Sequence, residues 1–324
     1  MASSKSIPVL SFFTGGGLLD IGLESAGFRI AWTNEHDHEI ADMYEYAVTA
    51  LQRRAVPGRR TARIASRECV TELKSAAILR EAFTSRIPYV FGIVGGPPCP
   101  DFSAGGHHRG GNGVNGRLTT TYVQHICRIR PTFFLIENVA GLYRFRKHRR
   151  FLTKQLKYLE EVGGYAVDFA LLNALELGVP QSRERLFVVG FKKALARRVV
   201  GRRLYPLERE WFEWPRVDKY AGACHWRWPK SCRFGYTPSR PDHLPTELMV
   251  YPLLNGANDP EKIANGLDVF EAHSPKFFER REGDVGNKSF KRLHRYRYSP
   301  TAWYGNREVH LHPWKPRRLS VREA

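Results

Sequence analysis

The chain has 324 residues, of which 42% are hydrophobic and 12% aromatic, so it can bury a substantial core and is not intrinsically disordered. Lysine and arginine number 51 against 32 acidic residues, and the excess is denser after residue 190, which predicts that the C-terminal part contacts a polyanion. An anionic membrane surface would also attract such a chain, but the sequence has no apolar run of about 20 residues and no signal-like start. A nucleic acid is therefore the favoured partner, and we expect no membrane contact.

The five cysteines are odd in number and follow no disulfide-framework spacing. This usage favours a reducing compartment, in which the thiols stay free for chemistry. Cys224, His225 and Cys232 do not match a zinc-binding pattern, so we predict no metal site.

The opening of the chain alternates strand and helix. The predicted elements are strands at residues 8–13 and 28–33 with a helix at residues 18–26 between them. The glycine-rich turn at residues 14–17 lets a ligand approach the backbone where the helix begins. Glu35 follows the second strand, where a carboxylate can bind ribose hydroxyls. Because Leu18 stands where a dinucleotide fingerprint has a glycine, the pattern disfavours NAD and FAD and suits an adenosine ligand such as S-adenosylmethionine.

A short apolar run at residues 89–94 predicts a buried strand, and two glycines and two prolines then form a stiff turn that ends at Cys99. A thiol at the carboxyl end of such a strand lies where α/β sheets carry out chemistry. A free cysteine is also commonly just a small buried residue, and this stretch alone leaves both interpretations open. The many glycines of residues 104–116 favour a mobile loop that closes over substrate rather than an ordinary surface loop.

Several later segments continue the α/β pattern. They are helices at residues 118–130 and 151–162 and strands at residues 63–65, 132–139, 165–172 and 186–191. Glu137 lies at the tip of an apolar strand, on the same predicted sheet edge as Cys99, where a carboxylate needs a partner or a function. Arg183 and Arg185 alternate into the last strand and so point to one side, although a salt-bridged surface pair is the alternative.

The βα rhythm stops after residue 191, where tryptophans alternate with basic residues and prolines. This change predicts a separate, irregular and mostly β domain. Within it, the basic run at residues 291–297 has interleaved aromatic residues, which suits contact with phosphates and bases. Taken alone, the same run could equally be a solvated edge.

Together these motifs resemble those of the DNA (cytosine-5)-methyltransferase family, in the family order and over essentially the whole chain. They are Phe13-Thr14-Gly15-Gly16-Gly17, Asn34-Glu35, Pro97-Pro98-Cys99 with Phe102-Ser103, Glu137-Asn138-Val139, Gln181-x-Arg183-x-Arg185 and the stretch from Arg318 to Ala324. The resemblance implies a Rossmann-like α/β fold of the S-adenosylmethionine-dependent methyltransferases, with a mostly parallel sheet and an antiparallel last strand. It also implies a smaller, irregular, mostly β target-recognition domain.

The resemblance assigns roles to particular residues. It implies that Cys99 attacks carbon 6 of a flipped-out cytosine, that Glu137 protonates or hydrogen-bonds ring N3, and that Arg185 lies at O2. Arg183 would support the thiol and its loop. The implied cofactor-binding residues are Phe13, Thr14, Gly15, Gly17, Glu35, His36, Pro98 and Leu118. The aspartate that usually holds the adenine amino group has no clear counterpart, and Glu68 is the candidate for it.

The implied domains are residues 1–190 for catalysis and cofactor binding, 191–316 for target recognition, and 317–324 as a truncated return segment. We expect double-stranded DNA as substrate and a cytoplasmic, nucleoid-associated enzyme of bacterial or phage type, from a restriction-modification system or acting as an orphan. One alternative is a tRNA cytosine-5 methyltransferase. Another is a truncated or split chain that binds DNA and needs a second polypeptide, carrying the family's final motif, for activity.

Overall fold

The computed structural model describes residues 6–55, 63–98, 114–205, 207–256, 274–286, 289–301, 310–320 and 323. The chain divides into two compact units. Unit 1 contains Met1–Leu171 and Arg185–Trp214, and unit 2 contains Leu172–Glu184 and Pro215–Ala324. Residues 191–214 therefore group with unit 1, although the sequence assigns them to target recognition. The functional assignment of the domains stays a prediction.

The main sheet has six strands in the order β2-β1-β3-β4-β7-β5. In chain order the strands are β1 (Pro8–Phe12), β2 (Arg29–Asn34), β3 (Gly92–Gly95), β4 (Phe133–Val139), β5 (Tyr165–Asn173), β6 (Gln181–Ser182, outside this sheet) and β7 (Glu184–Lys192). β1 pairs in parallel with β2 and β3, β3 pairs in parallel with β4, and β7 runs antiparallel to β4. The predicted mostly parallel sheet with an antiparallel last strand is confirmed.

Seven helices accompany this sheet in the described part of the chain. They are α1 (Leu18–Ser25), α2 (His38–Ala55), α3 (Ser75–Ala82), α4 (Val114–Ile129), α5 (Gly141–Arg144), α6 (Arg146–Glu161) and α7 (Lys193–Val200). Every residue of β1 and β3 is buried, as expected for central strands of a sheet covered on both faces. No helix in the described ranges is long and apolar enough to cross a membrane.

Two predicted strands differ from the structure. The run at residues 89–94 becomes a strand only at Gly92, and Tyr89 is 95% exposed. Gly92 suits this position because a Cβ there would lie 2.3 Å from the Phe133 ring of β4. Residues 63–65 are not a strand, since Thr33 of β2 holds them through its side-chain oxygen, which donates to Arg63 O and accepts from Ala65 N.

Two predicted helices begin earlier than expected. α4 starts at Val114, which removes residues 114–116 from the predicted glycine-rich loop; the rest of that loop and Cys99 lie outside the described residues. α6 starts at Arg146 rather than at residue 151. Its first turn has no acidic residue and its N-cap side chain makes no capping hydrogen bond, so the usual start signals were absent from the sequence.

Unit 2 is irregular, as predicted, and the strands described in it are short. They include β6, β8 (Lys291–Arg292), β9 (Ser299–Pro300) and β10 (His310–Leu311), with β6 paired to β9 and β8 to β10. In the described part of this unit, the other regular elements are four 3₁₀ turns and two four-residue helices, α8 (Tyr251–Leu254) and α9 (Lys276–Glu279).

The basic run at residues 291–297 is partly interior. Arg292 is 0% exposed and donates to the carbonyl oxygens of Arg280, at 2.9 Å, and Lys315, at 3.1 Å. Arg295 forms a two-point ion pair with the buried carboxylate of Glu282, with Nε–Oε1 and Nη2–Oε2 distances of 2.9 Å. For these two arginines the predicted contact with phosphates is wrong, because their guanidinium groups already bind protein oxygens.

Candidate active site

The turn after β1 holds a carboxylate in a fixed orientation. Gly15 N donates to Glu35 Oε2 and Asp37 N donates to Glu35 Oε1, both at 2.9 Å. The turn itself is joined to β2, since Thr14 N donates to Asn34 O at 3.0 Å. Glu35 is therefore presented at the carboxyl edge of the sheet with both oxygens oriented by the backbone.

The segment at residues 63–68 lines the end of β2. The Asn34 side-chain amide donates to the carbonyl oxygens of Ser66 and Glu68, both at 3.0 Å, and His36 Nδ1 lies 3.1 Å from Arg67 O. Glu35 N also donates to Ser66 O, at 3.2 Å. Glu68 is the candidate for binding the adenine amino group. It directly follows Arg67, whose carbonyl oxygen lies beside the ring of His36, the residue after Glu35.

These residues fit an adenosine ligand. Each Glu35 oxygen accepts one backbone hydrogen bond in the contacts above, and a carboxylate oxygen can accept a second one, from a ribose hydroxyl. Phe13 has a left-handed backbone with φ 51°, and its ring packs edge-on against Tyr122 with centroids 5.6 Å apart. Thr14 is buried, whereas Pro98 and Leu118 are half-buried, on the chain after β3 and on α4. Phe13, Thr14, Gly15, Gly17, Glu35 and His36 therefore share one corner of unit 1.

Glu137 and Arg185 form an ion pair on adjacent antiparallel strands. Arg185 Nε lies 2.9 Å from Glu137 Oε1, and both side chains remain partly exposed, at 19% for Arg185 and 28% for Glu137. The register pairs Val139 with Arg185, so the two side chains meet diagonally across β4 and β7. The pair is accessible to a ligand while each partner orients the other.

The same carboxylate lies against the chain that leads to Cys99. A Cβ on Gly96 would stand 3.0 Å from Glu137 Oε2, so the missing side chain leaves the space that the carboxylate occupies. Asn138, the next residue of β4, places its amide nitrogen 3.5 Å from Pro97 O. Two consecutive residues of β4 thus contact the turn just before Cys99. Gly96 and Asn138 were not predicted as site residues, because a glycine's missing side chain has meaning only once its neighbour across the sheet is known.

Arg183 lies in unit 2, whereas Arg185 lies in unit 1. The Arg183 backbone N–H donates to the Asn173 side-chain oxygen at 3.1 Å, and the Arg183 carbonyl oxygen accepts from Ala174 N at 3.0 Å. The backbone at Arg183 is therefore fixed within unit 2. No three His, Cys, Asp or Glu side chains in the described ranges come close enough together to hold a metal ion.

A buried acid lies beneath the glycine-rich turn. Ser11 Oγ donates to Asp20 Oδ1 at 2.6 Å, and the Tyr44 hydroxyl donates to Asp20 Oδ2 at 3.1 Å. Burial raises the pKa of the Asp20 carboxyl from 3.8 to about 6, against the opposing effect of these hydrogen bonds. This role could not be predicted from the sequence, since an acid in the first turn of a helix is usually explained by the helix dipole.

Stability should depend on pH through Asp20. Because its folded pKa of about 6 exceeds its ordinary 3.8, its contribution to stability is fully present below 3.8 and is lost as pH rises through 6. Relative to Asp20→Asn, we expect the free energy of unfolding of the wild type to fall by up to about 3 kcal/mol between about pH 4 and about pH 7. Urea unfolding of both proteins over this range measures the difference, and parallel curves would contradict the prediction.

Comparison with known proteins identifies relatives over the whole chain. The family model for C-5 cytosine-specific DNA methylases matches residues 7–324. The type II methyltransferase M.NmeDI of Neisseria meningitidis serogroup C is 38% identical over 99% of this chain and 74% of its own length. The type II methyltransferase M.FnuDI of Fusobacterium nucleatum is 37% identical over 58% of this chain, and the match spans 47% of that relative.

A solved structure shares the fold. The crystal structure of a DNA modification methyltransferase encoded within an E. coli prophage superposes with a TM-score of 0.58. Its sequence is 23% identical to this one, and the match covers 98% of this chain and 87% of that chain. This likeness supports the Rossmann-like arrangement of the sheet described above.

Proposed function

Since the chain belongs to the C-5 cytosine-specific DNA methylase family, we propose that it transfers a methyl group from S-adenosylmethionine to carbon 5 of a flipped-out cytosine in duplex DNA. The names of its relatives favour a type II restriction-modification enzyme, and an orphan modification enzyme is the variant of the same proposal. The matched family acts on DNA, which favours DNA over tRNA as substrate. A cytoplasmic, nucleoid-associated location follows from that substrate.

The observation that supports these roles best is the Glu137–Arg185 pair beside the turn that leads to Cys99. The pair joins β4 to β7 at 2.9 Å, and the Glu137 carboxylate fills the space left by Gly96. An acid and a cation held together at one sheet edge, beside the turn that leads into Cys99, would supply with that cysteine the three kinds of group that addition to a pyrimidine ring requires.

The proposed reaction begins with addition to the ring. The Cys99 thiolate forms a bond to carbon 6 of cytosine, and the ring electrons move toward carbon 5 and N3. Glu137 donates a proton or hydrogen bond to N3, which makes the ring accept the thiolate. Arg185 faces O2, where its positive charge stabilises the electron density that develops there.

The remaining steps restore the aromatic ring. S-Adenosylmethionine, when bound, supplies the methyl group that carbon 5 takes up. Carbon 5 then loses its proton to solvent, the sulfur–carbon 6 bond breaks, and Cys99 leaves as a thiolate. The proton that N3 received returns to the Glu137 carboxylate, which restores the neutral ring and the acid. Glu35 would bind the ribose hydroxyls, and Gly15 and Gly17 would allow the ligand to approach the turn. Arg183 would support the thiol and its loop.

Covalent trapping tests the proposal. The purified chain is incubated with S-adenosylmethionine and duplex DNA in which 5-fluorocytosine replaces every cytosine of one strand, so no recognition sequence needs to be known. Because fluorine cannot leave as a proton does, we expect the protein–DNA adduct to persist in a denaturing gel. Cys99→Ala should abolish the adduct, and Cys69→Ala, which removes another thiol of unit 1, should retain it. An adduct that survives Cys99→Ala would refute the assignment.

A second polypeptide belongs to the proposal as an alternative, on the resemblance of the sequence alone. Adduct formation and transfer of tritiated methyl to DNA by the purified 324-residue chain would show that no partner is needed.

A further inference from the structure

Helix α6 carries five exposed cations on one face. They are Arg146, Lys147, Arg150, Lys154 and Lys157, which we call the α6 basic face. At about 100° per residue, these positions fall within an arc of about 100° around the helix axis. The face therefore forms one continuous strip of positive charge along three turns of the helix.

The opposite side of α6 fixes the direction of this strip. Leu152, Leu156 and Leu159 are at most 5% exposed and belong to the hydrophobic core of unit 1. The helix cannot rotate about its axis without exposing these leucines. The burial of the leucines therefore keeps the basic face toward solvent.

The cations of this face are not neutralised within the part of unit 1 that the structure describes. None of the five takes part in an ion pair there, and Glu161 is the one acid on the same arc. Arg149, on the flank, differs from them, because its Nε donates to Tyr143 O at 2.7 Å and its guanidinium lies over the Tyr143 ring at 4.6 Å. Arg149 anchors the helix, whereas the side chains of the five face residues form no ion pair with the described residues of unit 1.

The arrangement opposes the stability of the helix itself. Arg146 and Lys147 stand in the first turn, where the helix dipole disfavours positive charge, and no acid is present there. Arg146, Arg150 and Lys154 also follow at intervals of four, which places like charges next to one another. A polyanion bound to the face would relieve both effects.

The face begins near the candidate active site. Residues 140–145 alone separate Val139, the last residue of β4, from Arg146, and Glu137 lies on that strand. The start of α6 is therefore tied to the carboxyl edge of the sheet, where the proposed chemistry occurs. Two arginines of the basic run at residues 291–297 already bind protein oxygens inside unit 2. Other cations are therefore needed to bind the DNA phosphates.

We propose that the α6 basic face binds the phosphate backbone of the duplex that carries the target cytosine. This inference rests on the proposed function and deepens it, since it gives unit 1 a share of DNA binding that is independent of base sequence. Arg146, Lys147 and Arg150 are the residues nearest the sheet edge and should contribute most.

The salt dependence of DNA binding tests the proposal. In the variant Arg146→Gln/Lys147→Gln/Arg150→Gln, we expect the slope of log K against log salt to become shallower by about 2.7, since each phosphate contact contributes about 0.9. At about 0.1 M salt the affinity should fall by about 10²-fold. Fluorescence anisotropy of labelled duplex DNA, measured from low to high salt without methyl transfer, provides both values.

A matched variant distinguishes an effect of the α6 basic face from an effect of losing any three positive charges. Arg29→Gln/Arg80→Gln/Arg86→Gln removes three exposed cations of unit 1 at the start of β2, on α3 and before β3, and should keep the wild-type slope. Equal losses in both variants, or an unchanged slope in the α6 variant, would overturn the proposal. Binding of anionic lipid vesicles by the α6 face with unaltered DNA binding would do so as well.

Stability and catalysis are measured beside binding. The α6 variant should unfold no earlier than the wild type on heating, because its substitutions relieve repulsion, so weak binding through misfolding can be recognised. If the 5-fluorocytosine adduct fails to form while the salt slope changes as expected, the proposed function is wrong and the DNA-binding face stands.

Discussion

Glu137→Gln is expected to lower the rate of methyl transfer by about 10²–10⁴-fold, the range over which a positioned acid or base contributes. The amide has nearly the size of the carboxyl group and can still accept a hydrogen bond from Arg185 Nε, now 2.9 Å from Glu137 Oε1. It cannot donate a titrating proton to ring N3. Single-turnover transfer at saturating DNA, with the second polypeptide added if turnover requires it, measures the effect.

The partner of Glu137 supplies the control for this prediction. Arg185→Lys keeps the positive charge but loses the planar guanidinium group. We expect it to lower the rate of methyl transfer by about 10²–10³-fold. Since the two side chains touch, the double variant should lose much less than the product of the single losses. Duplex binding should change little in each variant. A Glu137→Gln enzyme within about tenfold of wild type would exclude the acid–base role.

Gly17→Ala is expected to lower the free energy of unfolding by about 2–5 kcal/mol and to weaken binding of S-adenosylmethionine. Gly17 has φ 82°, and a Cβ there would stand 2.8 Å from the Tyr44 ring. Tyr44 cannot turn aside cheaply, because it is 3% exposed and its hydroxyl bonds to Asp20 at 3.1 Å. Urea unfolding and calorimetric titration with S-adenosylmethionine check the two effects.

A second glycine isolates the contribution of Tyr44. Gly27 has φ 90°, and a Cβ there would meet nothing within 4 Å. Gly27→Ala should therefore lower the free energy of unfolding by only about 1–2 kcal/mol, the penalty for an alanine in a left-handed backbone conformation. It should leave the affinity for the cofactor unchanged. If the two variants lose equal stability, the contact with Tyr44 has no energetic importance.

The local parts of the fold could be predicted from the sequence. β1, the glycine turn, α1, β2 and Glu35 follow one another within 35 residues, and each has a signal in its own stretch of sequence. Glu137 and Arg185 could be placed at one sheet edge because strand ends and side-chain alternation follow from simple periodicity. The family motifs then gave these positions chemical roles.

The long-range parts could not be predicted. Arg295 resembles a phosphate-binding residue until Glu282 is known to lie beside it, and no local pattern announces a partner 13 residues away. Trp211 similarly looked like part of a recognition domain, whereas its indole donates to Val167 O at 3.2 Å within unit 1. Such contacts depend on how distant segments meet, which composition and spacing do not encode.

The backbone passes from unit 2 back to unit 1 between Glu184 and Arg185, inside a motif whose two arginines are one residue apart. The motif is thus a covalent joint between the two units as well as the proposed location of two site residues. Under the proposed function, the residues proposed for target recognition and those proposed for chemistry are therefore joined at this point by the peptide bond between Glu184 and Arg185.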